Sequence, residues 1–144
     1  MRYAKVVILF ILFILSGSAL ADRGRDYIQV REVTMSLQDG DAVFDVRFDL
    51  DAFAKIYVLA LGTKYIEPEL MDLFSDFDNV TVRKSGPNMA VLVSEAAGDL
   101  RSGYYLYDSR DLGKEVPKLT VVYPGRLSRT FYRVSATPSV FSEA

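Results

Sequence analysis

Acidic side chains are the residues of this chain best suited to chemistry, because the sequence contains no His and no Cys. Without them the chain has no imidazole base, no thiol nucleophile and no ordinary zinc site. Asp76 and Asp78, followed by Asn79, begin like a loop that binds a hard cation through oxygen ligands. The segment lacks the glycine and final glutamate of an EF-hand, so a solvated helix end with Asx turns is the competing interpretation.

A second pair of carboxylates, Asp45 and Asp49, lies on one face of a predicted strand, with Arg47 between them. At about 3.4 Å per residue the two side chains stand roughly 13 Å apart. Inverting glycosidases place their carboxyl groups roughly 6.5–9.5 Å apart. The pattern is therefore typical of charges on a solvated sheet face, and a hydrolase would need a pair that only the tertiary fold brings together.

Three further residues are candidates for surface binding. Arg129, Phe131 and Arg133 alternate along a predicted strand and would share one face. Arginine beside an aromatic ring can stack on bases or sugars, although charges also protect an edge strand from aggregation. The formal net charge of −2 gives no general affinity for polyanions, so the sequence predicts no nucleic-acid partner.

Asn79 also begins the tripeptide Asn-Val-Thr, which is a potential N-glycosylation site. It lies at a predicted junction between a helix and a strand, where a side chain is accessible. The motif has a function only if the protein is exported.

The first 21 residues have the features of a secretory signal. Arg2 and Lys5 precede an unbroken apolar run of ten residues, 6–15, and Ala19 and Ala21 supply the small residues of a cleavage site. A membrane-spanning helix needs about 20 apolar residues, so cleavage after Ala21 is favoured over an uncleaved anchor through residues 6–21. The sequence thus predicts a protein of the cell envelope or exterior, which contacts the membrane only if the leader is retained.

The chain after the leader predicts an α+β domain over residues 22–137 and a loosely held tail over 138–144. Residues 27–37 and 43–50 form a hairpin through the Asp39-Gly40 turn, with a bulge near Arg31 and Glu32 that restores alternation. Two more hairpins follow, over residues 80–93 and 119–134, with a strand at 104–107. Residues 96–103 and 108–116 are predicted to be irregular. The sheet of three hairpins is therefore mostly antiparallel, with a helical pair between the first and second hairpins.

Both helices are predicted from apolar residues that recur with helical spacing. Asp51 is the N-cap and Gly62 the C-terminal residue of the first, over residues 52–61. A buried strand over residues 55–61 is the alternative. Lys55 is the only charged residue of the predicted helix over residues 52–61. That helix is therefore apolar on most sides and must lie in the core or be covered by a partner. Pro68 begins the second helix, which we expect to reach residue 77.

Three segments of the chain, at residues 74–77, 103–109 and 121–124, read FSDF, GYYLYDS and VVYP. With the leader ahead of them, they resemble a group of small exported proteins of methanogenic archaea that has no assigned function. This resemblance implies a location outside the cytoplasmic membrane and favours archaeal surface glycosylation at Asn79. It supplies no catalytic or binding residue.

Together these features predict a non-enzymatic exported or cell-surface module that binds a protein or a glycan and needs no cofactor. An exported hydrolase that uses Asp and Glu carboxylates is one alternative. A membrane-anchored accessory subunit that keeps its N-terminus is another.

Overall fold

The computed structural model of the protein describes residues 27–144, so the leader and its cleavage position Ala21 lie outside the described residues. The elements in chain order are β1 (Ile28–Gln38), β2 (Asp41–Leu50), α1 (Ala52–Leu61), a 3₁₀ turn (Thr63–Tyr65), α2 (Glu67–Leu73), β3 (Val80–Ser85), β4 (Met89–Ser94), β5 (Asp99–Arg101), β6 (Tyr104–Tyr107), β7 (Asp111–Val122), β8 (Ser128–Ala136) and β9 (Val140–Glu143). Among the residues described, no helix has the length and apolar character needed to cross a membrane.

The strands form two sheets. The larger has six strands in the order β3-β4-β2-β1-β7-β8, and the smaller has three in the order β5-β6-β9. All neighbouring strands are antiparallel except β1 and β7, which are parallel. The predicted α+β class is confirmed, with a mostly antiparallel sheet and a helical pair between β2 and β3.

The first hairpin follows the local signals of its sequence. Asp39 and Gly40 have φ values of 48° and 89°, the pair of positive angles that a tight two-residue hairpin turn requires. The register between β1 and β2 shifts between Val30 and Glu32, which confirms the predicted bulge. That shift lets Ile28 and Val30 face the core together with Val33, so one face of β1 is apolar along its length.

The core lies on one face of the six-stranded sheet. Phe44 at the middle of β2 is fully buried, and its ring stacks on Phe74 at a centroid distance of 4.2 Å and meets Phe77 edge-on at 4.9 Å. Leu70 and Leu73 of α2 are buried beside these rings. The smaller sheet adds Tyr107 and Val140 to the same cluster, so both the helices and the second sheet cover one side of the large sheet.

Helix α2 is shorter than predicted. It ends at Leu73, and Phe74 leaves the helical conformation with φ −114° and ψ 27°. The chain continues as turns in which the Phe77 N–H donates to the Phe74 carbonyl at 3.0 Å. Because both rings are buried against Phe44, the apolar spacing that suggested a longer helix reflects tertiary packing of a turn.

Three predictions about irregular segments are wrong. Of residues 108–116, expected to be irregular, residues 111–116 supply the first half of β7, whose pairing with β8 shifts register between Asp111 and Val116. The loop predicted over 96–103 contains β5. The tail over 138–144, expected to be loosely held, forms β9, which pairs with β6 and buries Val140. The start of β7 and β9 pair with residues distant in the chain, so no local turn signal marks them. β5 instead pairs with the neighbouring strand β6 through the Ser102-Gly103 turn, a local signal that the prediction missed.

Gly113 fixes how closely β7 approaches the end of α2. A Cβ added there would lie 2.5 Å from the Asp72 carbonyl oxygen, which is backbone and can move only with the helix. We expect Gly113→Ala to lower the free energy of unfolding by about 1–3 kcal/mol, the usual cost of overpacking. Urea unfolding with Gly86→Ala as control tests this, because the nearest atom there is at an ordinary 3.5 Å. Equal losses in both variants would contradict the close contact.

Candidate binding surface on helix α1

Helix α1 exposes most of its apolar side chains. The Asp51 carboxylate accepts a hydrogen bond from the Ala54 N–H at 2.8 Å, and Gly62 ends the helix with φ 87°, so both predicted helix boundaries are confirmed. Of the ten residues in the helix, Ala54 and Val58 are buried. They lie one turn apart and form the narrow contact between α1 and the body of the domain.

The opposite side of α1 is an apolar surface open to solvent. Leu59 is 82% exposed, and Phe53 and Ile56 are each 64% exposed. Leu61 at the C-terminal end is 70% exposed. At 100° per residue, Phe53, Ile56 and Leu59 project away from the face that holds Ala54 and Val58. We call these three residues, with Ala60 between them, the outer face of α1.

A ladder of aromatic rings borders this face. Phe53 contacts Tyr57 at a centroid distance of 4.9 Å, and Tyr57 stacks on Tyr65 at 4.9 Å with an interplanar angle of 19°. Tyr65 in turn lies 5.5 Å from Tyr27, the first described residue. The rings therefore connect the outer face to the point where the leader joins the domain.

The hydroxyl groups of Tyr27 and Tyr107 have raised pKa values. Burial raises the pKa of Tyr27 to about 12, and the nearby Glu69 carboxylate adds to the shift through its charge and a hydrogen bond. Burial also raises the pKa of Tyr107 to about 12, against a smaller opposing effect of the Gly40 backbone. The Tyr107 hydroxyl donates to the Asp41 carbonyl at 3.3 Å.

These pKa values predict alkaline destabilisation. Because both folded-state values lie above the ordinary value of 10.0, the unfolded chain loses these protons first. The resulting stability is complete below pH 10 and is lost as the pH rises towards 12. Urea unfolding at several pH values in this range checks the slope, and Tyr107→Phe should make it shallower. A slope that Tyr107→Phe leaves unchanged would contradict the assignment to Tyr107.

The acidic loop residues are used in local structure. One Asp76 carboxylate oxygen accepts a hydrogen bond from the Asp111 N–H at 2.8 Å, which ties the loop to the start of β7. The Asp78 carbonyl accepts from the Ser94 hydroxyl at 2.7 Å. Within residues 27–144, the fold brings together no group of three or more carboxylates that could hold a metal ion. Among the described residues, Asp76 and Asp78 thus belong to no such carboxylate group.

The two carboxylates on β2, Asp45 and Asp49, have different surroundings. Asp49 forms an ion pair with Arg31 on the neighbouring strand. Asp45 lies opposite Thr34 and Val91, and its Oδ1 is buried without a hydrogen-bond partner among the described residues. In the described part of the chain, two other carboxylates, Glu69 and Asp72, share a cavity of about 310 Å³ that Lys114 also lines.

Of the three candidate residues on β8, only Arg129 and Phe131 share a strand face as predicted. The Arg129 guanidinium carbon lies 5.7 Å from the centre of the Phe131 ring, as a shared strand face allows. Arg133 has a φ of 53°, which interrupts the alternation that placed it with them. Phe131 packs partly against the core, so its ring offers less free surface than the sequence suggests.

Asn79 and the tyrosines of β6 are placed according to their sequence positions. Asn79 is exposed just before β3, with φ 51°. Its modification stays a prediction. Tyr105 and Tyr107 face inward with rings 6.5 Å apart, and Tyr104 is 52% exposed on the other face, as expected for alternating residues of the predicted strand at 104–107.

No protein-family model matches the chain, and no curated protein or solved structure is significantly similar to it. Function must therefore be argued from the surface itself. The sequence signal for the outer face of α1 was its near absence of charge, which showed an apolar helix without showing which side the core leaves open.

Proposed function

We propose that this protein is a non-enzymatic, envelope-facing binding module whose contact surface is the outer face of α1. The observation that carries the proposal is the exposure of Ile56 and Leu59, 64% and 82%, on the side of α1 away from the core. A helix that is apolar on all sides is normally buried. Contiguous exposed apolar side chains on a folded domain are typical of a binding surface.

The chemistry of this face favours an apolar partner over a glycan. Ile56 and Leu59 carry no group that donates or accepts a hydrogen bond, whereas sugars present hydroxyl groups that need such partners. The exported location that the leader predicts would place this surface outside the cytoplasmic membrane. The Asp45 and Asp49 pair gives hydrolysis no support, because Asp49 forms an exposed ion pair with Arg31.

The test uses the predicted mature chain, residues 22–144, which retains the described core because every buried residue lies between Ile28 and Ser142. We expect the double variant Ile56→Gln with Leu59→Gln to unfold within about 0.5 kcal/mol of the parent, since exposed substitutions with good helix formers cost little. We also expect it to lose most of its rebinding to washed envelopes of the source cells.

Leu127→Gln is the matched control. Leu127 is 72% exposed in the turn between β7 and β8, so the substitution has the same chemistry at the opposite end of the sheet. It should preserve both stability and envelope rebinding. Unchanged rebinding of the double variant would contradict the proposed surface. A large loss of stability would show that the outer face is part of the folded core.

A further inference from the structure

We propose that the outer face of α1 binds the lipid bilayer, lying in the plane of the membrane surface with its apolar side chains among the acyl chains. This inference rests on the proposed function and names its partner. Three features identify the bilayer as the partner: the point where the chain enters the described domain at Tyr27, the shape of the outer face, and its charge.

The leader joins the domain beside α1. Ile28 at the start of β1 pairs with Leu50 at the end of β2, so the chain enters at the end of the sheet from which α1 departs. The Asp51 N–H donates to the Tyr27 carbonyl at 3.0 Å, and Tyr27 contacts Tyr65 in the aromatic ladder. A retained leader would therefore hold whatever it binds close to the outer face.

The leader itself has the composition of a membrane-seeking segment. Residues 6–15 are an unbroken apolar run, and residues 16–26 join it to the domain. Those linking residues reach at most about 3.6 Å each when extended. In the uncleaved alternative, a chain held in the bilayer by residues 6–15 keeps α1 within roughly 40 Å of the lipid, which raises the effective concentration of membrane around the outer face. After cleavage at Ala21 the shape and flanking residues of the outer face carry the inference.

The shape of the face suits a fluid partner better than a folded one. A helix of ten residues is about 15 Å long and about 10 Å across, too short to span the bilayer. Its convex footprint is also well below the roughly 800 Å² per partner of a stable protein interface. An amphipathic helix on a membrane buries its apolar face at the boundary between headgroups and acyl chains, and this depth matches a single exposed helix face.

The flanking residues are those found at membrane interfaces. Tyr57 and Tyr65 border the face, and tyrosine rings favour the headgroup level. Lys55 and Lys64 are exposed and can extend along the surface to the headgroups. Lys55 is the single charge of α1, so we expect binding to uncharged phosphatidylcholine without any need for anionic lipid.

The absence of tryptophan from the sequence allows a direct test. The full chain is reconstituted into phosphatidylcholine vesicles with brominated acyl chains, which quench tryptophan only on contact. Leu59→Trp reports on the outer face, and Leu127→Trp reports on the far end of the sheet. We expect Leu59→Trp to lose most of its emission relative to unbrominated vesicles and to shift to the blue, while Leu127→Trp keeps its emission.

Three outcomes would overturn the inference. Equal, weak quenching at both positions, with red emission, would show that the outer face stays in water beside lipid. Blue-shifted but unquenched emission from Leu59→Trp would assign the face to a second copy of this chain. Loss of envelope rebinding in the Gln double variant, without quenching here, would assign it to a protein and leave the proposed function intact.

Discussion

We expect Phe44→Ala to lower the free energy of unfolding by about 3–5 kcal/mol, the usual cost of removing a large aromatic side chain from a core. Phe44 is fully buried at the centre of β2, and its ring joins the large sheet to Phe74 and Phe77 after α2. The cavity left behind cannot close easily, because the sheet fixes one wall and the two rings form the other. A domain whose total stability is about 5 kcal/mol, the lower end of the usual range, would be close to unfolding.

Phe141→Ala is the matched control for this prediction. Phe141 is 68% exposed on the outer side of β9, so the same side chain is removed with little loss of packing. We expect it to cost less than about 1 kcal/mol, within the range of strand propensities. Urea unfolding followed by circular dichroism measures both. Similar losses in the two variants would contradict the position of the core.

Deletion of residues 138–144 is expected to cost at least about 2 kcal/mol. The deletion removes β9, in which Val140 is buried and pairs with Tyr107 of β6. Burial of a valine side chain contributes about 1.5–3 kcal/mol, and each lost backbone hydrogen bond adds about 0.5–1.5 kcal/mol. Part of this loss is offset by the conformational entropy that the freed chain regains.

Two point substitutions separate the role of the strand from the length of the chain. Val140→Asp places a charge in the buried site and should destabilise the protein about as much as the deletion. Phe141→Asp changes the neighbouring exposed position and should be nearly neutral. Thermal unfolding compares all three variants. A neutral deletion would restore the original expectation of a loosely held tail.

Local chemistry explains why the first half of the fold is predictable from sequence. The Asp39-Gly40 turn, the alternation of β2, and the Asp51 and Gly62 boundaries of α1 are each determined by residues within about ten positions of one another. Backbone angles, strand register and helix capping all depend on such near neighbours. The tertiary fold contains the turn, the strand alternation and the helix boundaries that these local signals predict.

Two pairings of the second half join strands that lie far apart in the sequence. The parallel pairing of β1 with β7 joins Val33 to Leu119, and β9 reaches back to β6 across more than thirty residues. Neither connection has a turn that would reveal it. Phe74 and Phe77 misled the helix prediction for the same reason, because their spacing reflects packing against Phe44.

The sequence predicted the helix that carries the candidate surface, but it did not predict whether that helix is buried or exposed. An almost uncharged helix over residues 52–61 indicated either a core position or a partner, and the sequence left both open. The answer depends on how many sides of the helix the domain covers, which is a property of the assembled fold. Contact through Ala54 and Val58 alone leaves Ile56 and Leu59 exposed.

The most direct test of the account is the accessibility of Leu59 in the native envelope. The chain contains no cysteine, so Leu59→Cys and Ser128→Cys each introduce a unique thiol. Both positions are exposed in the domain, and Ser128 begins β8 at the end of the sheet away from α1. We predict that a water-soluble maleimide labels both variants in the purified protein, but in intact envelopes labels Ser128→Cys alone. Equally rapid labelling of Leu59→Cys in envelopes would contradict the claim that α1 is a contact surface.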